Sequence, residues 1–284
     1  MKVSTLRLSP NVLKLKWPLV TTRIKRFIKD YVDKSRMKGI VLGVSGGIDS
    51  STTAALASLA IGGKKVLALS MPEEETYNAT DIKHIKMLAE KFGFQIETID
   101  ISPILRAYYD SLPIYDAQEK RGKGNLKART RMTCWYYYAN RLERIVCGSS
   151  DKSETMIGYF TKWGDAAADI SPLMDLYKTQ VRQLAAYIGV PDEIIAKPST
   201  PALWPGHLAE EELGIKYEML DLTLLGLENF LAPEEIARQL ELPLKLVLDI
   251  KARWLANEHK RRPPLTTKLG YRTAGKDFRL PYTS

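Results

Sequence analysis

Cysteine is scarce, with two residues, Cys134 and Cys147, in a chain of 284. Two thiols give neither a disulfide framework nor a metal-ligand spacing, so a reducing cytoplasm is the expected compartment. No apolar run approaches the length of a membrane helix. The first residues, Met1 to Pro18, are basic but lack the apolar centre of a signal peptide. Internal repeats and low-complexity tracts are also absent, which excludes solenoid and fibrous architectures. Two familiar phosphate-binding patterns are missing as well: no Gly-Lys-Ser/Thr ends a Walker loop, and no G-x-G-x-x-G occurs. What remains is a composition ordinary for a globular protein, 45% hydrophobic and 26% charged, with a net charge of +9. That charge suits an anionic partner without choosing among nucleic acid, acidic membrane and phosphorylated small molecules.

The most informative stretch is Gly43-Val44-Ser45-Gly46-Gly47-Ile48-Asp49-Ser50-Ser51. An apolar run from Gly39 to Val44 leads in, and a small-residue helical segment from Thr52 to Ala60 leads out. Strand, Gly-rich turn and helix place backbone N–H groups and a helix N-terminus where an anion can be held. Asp49 is out of place in an anion cradle unless a Mg²⁺ ion bridges it to phosphate. The plain alternative is a Gly-rich turn with a helix cap.

Around this stretch, periodicity predicts alternating strands and helices. Val20 to Tyr31 repeats at helical spacing after an extended arm over 1–17. Lys65–Met71, Phe94–Ile99 and Arg144–Cys147 read as further strands, Asp81–Phe92 and Leu126–Leu142 as helices, and Ser102-Pro103 as a helix start. Alternation of this kind argues an α/β fold with a doubly wound parallel sheet, its ligands at the carboxyl ends of the strands. Leu112 to Gly124 reads as a mobile loop. Gly148 to Leu213 is polar and irregular, with one helix near Lys178–Ile188, as sites and lids are. Helices return from Gly214 to Glu258, including Pro233 onwards and Leu244–Trp254, before a basic, Pro-rich tail.

Several motifs have both a plain and a functional reading. Lys127, Arg129 and Arg131, followed by the aromatics Trp135 to Tyr138, are a solvated basic face over a core stripe, or a phosphate clamp. Gly148-Ser149-Ser150-Asp151-Lys152-Ser153-Glu154 is a Ser-rich helix cap, or the source of a second metal ligand facing Asp49. His259-Lys260-Arg261-Arg262 is a cation run after a helix, favoured there by the helix dipole.

Taken together and in order, Gly43–Ser50, Gly124–Met132 with Tyr136–Asn140, Ser153–Asp165, Pro172–Ala185, Ala202–Gly206 and Glu210–Ile215 resemble NAD⁺ synthetase. The resemblance runs from about Gly39 to the C-terminus, and the first loop is similar to the SGGxDS pyrophosphate loop of enzymes that split ATP into AMP and pyrophosphate. It implies a Rossmann-like sheet of the adenine nucleotide alpha hydrolase type with a helical C-terminal extension. The implied layout is a single domain over 1–284: an arm and helix (1–38), an ATP pyrophosphatase core (39–213) with mobile loops near 112–124 and 199–213, and a helical part with a basic tail (214–284). The implied reaction is amidation of deamido-NAD⁺ by ammonia, with ATP as co-substrate and Mg²⁺ as cofactor, through an acyl-adenylate.

Position by position, the resemblance puts ATP on Gly43, Val44, Ser45, Gly46, Gly47, Ile48, Asp49, Ser50, Ser149, Lys178 and Thr200. Mg²⁺ falls to Asp49 and Glu154. Asp49, Glu154 and Lys178 are the expected catalytic set, and Arg129, Lys162, Asp169, His259 and Lys260 the expected deamido-NAD⁺ contacts. A homodimer with the dinucleotide site at the subunit interface is implied, with no nucleic-acid or membrane partner. Departures occur at Ser149 and Ala166, and in the lid, where the family's Trp-Pro-Gly-Gln-Thr-Asp-Glu reads Trp204-Pro205-Gly206-His207-Leu208-Ala209-Glu210. Only 44 residues precede Ser45, too few for an amidase domain, so free ammonia is the expected nitrogen donor. The rival expectations are an SGGxDS enzyme acting on tRNA and a non-catalytic nucleic-acid-binding protein with a helix-turn-helix over Leu231–His259.

Overall fold

The computed structural model describes residues 6–278. Its centre is a parallel sheet of β1 (Ile40–Val44), β2 (Val66–Ser70), β3 (Gln95–Thr98) and β4 (Ile145–Val146), in the order β3-β2-β1-β4. The chain winds from β1 outward to β3, then crosses back to lay β4 on the other side of β1. The carboxyl ends of β1 and β4 therefore flank the point where the winding reverses, the place where open α/β sheets bind ligands. The doubly wound α/β expectation holds.

Both faces of the sheet are covered, and this explains the nearly continuous apolar strands. Ile40, Leu42 and Val44 pack with Ile28 and Val32 of α1 (Trp17–Ser35) and the alanines of α2 (Ile48–Ile61). Val41, Leu67, Leu69 and Val146 face the other way, toward Ile101, Leu105 and Ala139. Those belong to or adjoin α4 (Ser102–Ser111) and α5 (Lys120–Leu142), while α3 (Ala79–Phe92) returns to the first face. Gly43 must lack a side chain, because a Cβ there would lie 2.5 Å from the Trp135 ring.

After β4 come α6 (Lys152–Ile157), α7 (Lys178–Ile188), α8 (Asp192–Ile195) and α9 (Ala209–Leu213). Then α10 (Tyr217–Glu228), α11 (Pro233–Leu240), α12 (Leu244–Ala256) and α13 (Glu258–Arg261) build a second apolar cluster around Tyr217, Leu220, Leu224, Ile236 and Val247. Leu8 and Leu13 plug into that cluster. The arm read as extended therefore makes a 3-10 turn at Pro10–Leu13 and packs on the C-terminal helices.

Several boundaries differ from expectation for identifiable reasons. α2 starts at Ile48 rather than Thr52, so Asp49 and Ser50 sit in its first turn, where a carboxylate complements the helix dipole. α5 starts at Lys120, inside the stretch expected to be a loop, because the Glu119 carboxylate accepts hydrogen bonds from Arg121 and Gly122 N–H. β4 is only two residues long, extended by a bridge from Cys147 to Ile170. Ser102 lies in the first turn of α4 and accepts from Glu74 N–H, tying the loop after β2 to that helix. The segment from Gly148 to Leu213 contains four short helices rather than one. Among the described residues, no helix is long and apolar enough to cross a membrane.

Candidate active site

A cleft of about 620 Å³ opens at the carboxyl ends of β1 and β4. Gly43, Val44, Ser45, Gly47, Ile48, Asp49, Ser50, Ser149, Glu154, Thr200 and Lys260 line it, as expected candidates. Gly46 does not, but its φ of +73° lets the turn reverse, and a Cβ there would lie 2.9 Å from Asp81. Ser50 Oγ lies 3.2 Å from Ser45 N and accepts its hydrogen bond, so the loop is closed by its own hydroxyl.

Beneath the loop, Lys178 opens α7 and is fully buried. Its Nζ lies 2.7 Å from Asp49 Oδ2, 2.7 Å from Asp151 Oδ2 and 2.8 Å from Glu154 Oε1. One ammonium thus serves three carboxyl groups. Burial alone would depress the lysine, but the three carboxylates outweigh it and hold its pKa well above the usual range. Burial and the neighbouring negative charges push Asp151 and Glu154 up. The Oδ1 atom of Asp49 is buried with no hydrogen-bond partner. Three hard oxygen donors within 4.8 Å of one another, one of them with an unused atom, fit a small divalent cation such as Mg²⁺.

The frame around this cluster is tied together by hydrogen bonds. Asp151 caps α6 by accepting from Glu154 N–H at 2.8 Å. The fully buried Asp221 of α10 accepts from Ser153 Oγ at 2.5 Å and from Thr179 N–H at 2.8 Å. Ser153 Oγ in turn accepts from Lys178 N–H at 3.0 Å. The helices that carry Glu154 and Lys178 are thereby held by one carboxylate from the C-terminal part.

The basic helix α5 departs from a uniformly solvated face. Arg129 is exposed, but Lys127 is fully buried and donates to Glu73 at 2.9 Å, Glu75 at 2.7 Å and the Leu203 carbonyl at 3.2 Å. Arg131 lines the cleft and donates to Met71 O. Glu73 falls in no motif; Lys127 and Asp151 fall within motifs, but neither is marked there for a buried ion pair. A carboxylate three residues before Glu154 in a capping frame was the available signal for Asp151. Nothing in the local pattern marks a lysine for burial.

Of the expected deamido-NAD⁺ contacts, only Lys260 lines this cleft, donating to the carbonyls of Gly158 and Phe160. Arg129, Lys162 and His259 form a separate surface group: Arg129 donates to Lys162 O, and Lys162 Nζ donates to His259 O at 2.8 Å. Asp169 lies elsewhere, accepting from Val146 N–H at 2.7 Å beside β4.

The sequence model of the NAD synthase family matches residues 20–264. An NH(3)-dependent NAD(+) synthetase from Hyperthermus butylicus is 46% identical over 254 residues, covering 89% of this chain and 91% of that one. One from Methanocaldococcus jannaschii is 45% identical over 88% of this chain and 96% of that one. Among solved structures, an NMN synthetase from Francisella tularensis is similar with a TM-score of 0.79 at 31% identity, covering 90% of this chain and all of that one. An NH3-dependent NAD synthetase from Campylobacter jejuni is similar with a TM-score of 0.75 at 29% identity, over 89% of this chain and all of that one.

Proposed function

The chain belongs to the NAD synthase family, and from that premise we propose that it amidates deamido-NAD⁺ with ammonia, converting ATP to AMP and pyrophosphate, as the last step of NAD⁺ formation. The observation that carries this reading is the Asp49, Asp151, Glu154 and Lys178 cluster under a Gly-rich loop at the sheet's switch point. The tRNA-directed and non-catalytic alternatives have no counterpart in the comparisons described above.

The chemistry needs little from the protein beyond positioning and charge. A carboxylate resists ammonia because oxide cannot leave, whereas an acyl-adenylate offers AMP as leaving group. The loop Gly43 to Ser50 would cradle the ATP phosphates with its N–H groups and hydroxyls. Ser149 and Thr200, which both line the cleft, would add hydroxyls. Lys178 would meet the negative charge of departing pyrophosphate. Asp49 and Glu154, with Asp151 behind them, would hold Mg²⁺, which when bound neutralises phosphate charge. The nicotinate carboxylate would then attack the α-phosphate within the cleft that Lys260 also lines.

The remaining contacts suit a two-subunit site. Arg129, Lys162 and His259 lie together on the surface rather than in the cleft, and Tyr137 of the same helix is largely exposed. A second copy laid over α5 would bring those cations beside its own cleft. A cytoplasmic homodimer is the form we assign. Neither cysteine competes as a nucleophile, because burial raises the thiol pKa of both.

Adenylation is tested by isotope transfer. Deamido-NAD⁺ labelled with ¹⁸O in its nicotinate carboxyl should deliver one labelled oxygen to AMP, read by mass spectrometry. Unlabelled AMP formed alongside NAD⁺ would reject the adenylate route. The NMN synthetase among the structural neighbours makes the mononucleotide acid the control substrate.

A further inference from the structure

The cleft has a second polar centre, on its lid side, that neither the phosphate cradle nor the cation cluster uses. His207 is buried, and its ring stacks on Trp204 with centroids 3.5 Å apart and planes 12° apart. Its Nε2 lies 2.6 Å from Glu212 Oε2. The hydroxyl of Tyr159 donates to the same carboxylate oxygen at 2.6 Å, and lies 3.1 Å from Nε2. His207, Glu212 and Tyr159 all line the cleft that Glu154 and Lys260 also border. Arg253, another lining residue, lies over the Tyr159 ring at 5.5 Å.

The tautomer follows from the partners. Hydrogen bonds from Tyr159 and His207 outweigh burial and hold the Glu212 carboxyl below its usual range, so it accepts only. Nε2 therefore carries the proton and donates it, and Nδ1 is left as the basic nitrogen. That Nδ1 is buried and has no hydrogen-bond partner. A carboxylate fixing the tautomer of an imidazole whose other nitrogen is free is the arrangement by which histidines serve as general bases.

We propose that His207, oriented by Glu212, binds ammonium through Nδ1 and is the general base that converts it to ammonia. The assignment rests on the functional reading above, and it concerns the step that reading leaves without a base. At neutral pH the nitrogen donor is almost all ammonium, which has no lone pair to attack with. One proton passes from ammonium to Nδ1, and the imidazolium is stabilised by Glu212. The freed lone pair forms the bond to the acyl carbon. The bond from that carbon to the AMP oxygen breaks with its electron pair, and the nitrogen loses a second proton to solvent.

The experiment compares His207→Gln and Glu212→Gln with wild type, all in the full chain. Three rates are read: pyrophosphate–ATP exchange with deamido-NAD⁺ and no nitrogen donor, NAD⁺ formation from ammonium at pH 7.5, and hydroxamate formation from hydroxylamine, which is neutral at that pH. The expected result is a loss of about 100-fold in NAD⁺ formation from ammonium, the lower end for a general base. Exchange and hydroxamate formation should stay within about twofold of wild type, and the ammonium deficit should shrink as pH rises and solution supplies ammonia. A parallel fall in ammonium and hydroxylamine rates would mean that the pair only shapes the lid, and would overturn the assignment. Variants indistinguishable from an active wild type would overturn it too. A wild type that makes no NAD⁺ would instead remove the functional reading, and this assignment with it. Glu212→Gln keeps the lid residue itself, so the comparison stands even where His207→Gln folds poorly.

Discussion

Replacing Lys178 with methionine should abolish AMP formation, by a factor of about 10³ or more, and destabilise the chain by roughly 3–5 kcal/mol. The two effects have one cause. Lys178 Nζ is fully buried among Asp49, Asp151 and Glu154, all within 2.8 Å. Without it three carboxylates share one site with no counter-charge, and they must protonate, move apart or admit water. The same change removes the cation that would meet pyrophosphate. Steady-state AMP formation and the midpoint of urea unfolding read the two losses separately. A methionine variant of normal stability would mean that the cluster is not closed around the ammonium as described.

Asp49→Asn should give the opposite pairing. Pyrophosphate release should fall by about 10²–10³-fold, since the carboxylate with the unpartnered Oδ1 is the one best placed to take the cation. Stability should change by no more than about 1 kcal/mol. Asparagine keeps the shape, Asp49 sits in the first turn of α2, and removing one of three like charges relieves as much repulsion as it loses attraction. Unfolding midpoints with and without Mg²⁺ complete the test: wild type should gain stability from the metal and Asp49→Asn should gain less. Near-normal turnover in the variant would take Asp49 out of the metal site. Equal losses of stability in Asp49→Asn and Lys178→Met would contradict the charge balance just described.

The contrast between what could and could not be read from sequence follows the range of the interactions. The loop Gly43–Ser51 announces itself because its chemistry is local: strand, glycines, hydroxyls and an acidic first helical turn lie within nine consecutive residues. The parallel sheet follows from strand–helix alternation, but Ile40, Val41 and Leu42 are all apolar, so only the fold shows that the first and third face one side and the second the other. Burial of Lys127 was invisible because its partners Glu73, Glu75 and Leu203 lie on two distant loops, one before α5 and one after. In sequence it is one of several cations on a basic helix. Asp221 looks like any acidic residue in an amphipathic helix, and only tertiary packing sets it against the first turns of α6 and α7. The His207–Glu212 pair was partly legible: the lid's departure from the family pattern marked the position, but not the partner. The expected deamido-NAD⁺ contacts divide in the same manner, since Lys260 lines the cleft while Arg129, Lys162 and His259 join one another outside it.

One incubation reads the overall reaction. The purified chain is mixed with ATP, Mg²⁺, deamido-NAD⁺ and ammonium, and AMP and NAD⁺ are followed by mass spectrometry. NAD⁺ and AMP should appear in equal amounts, and neither should form when deamido-NAD⁺ is omitted. AMP without NAD⁺, or no turnover under any nitrogen donor, would contradict the proposed reaction.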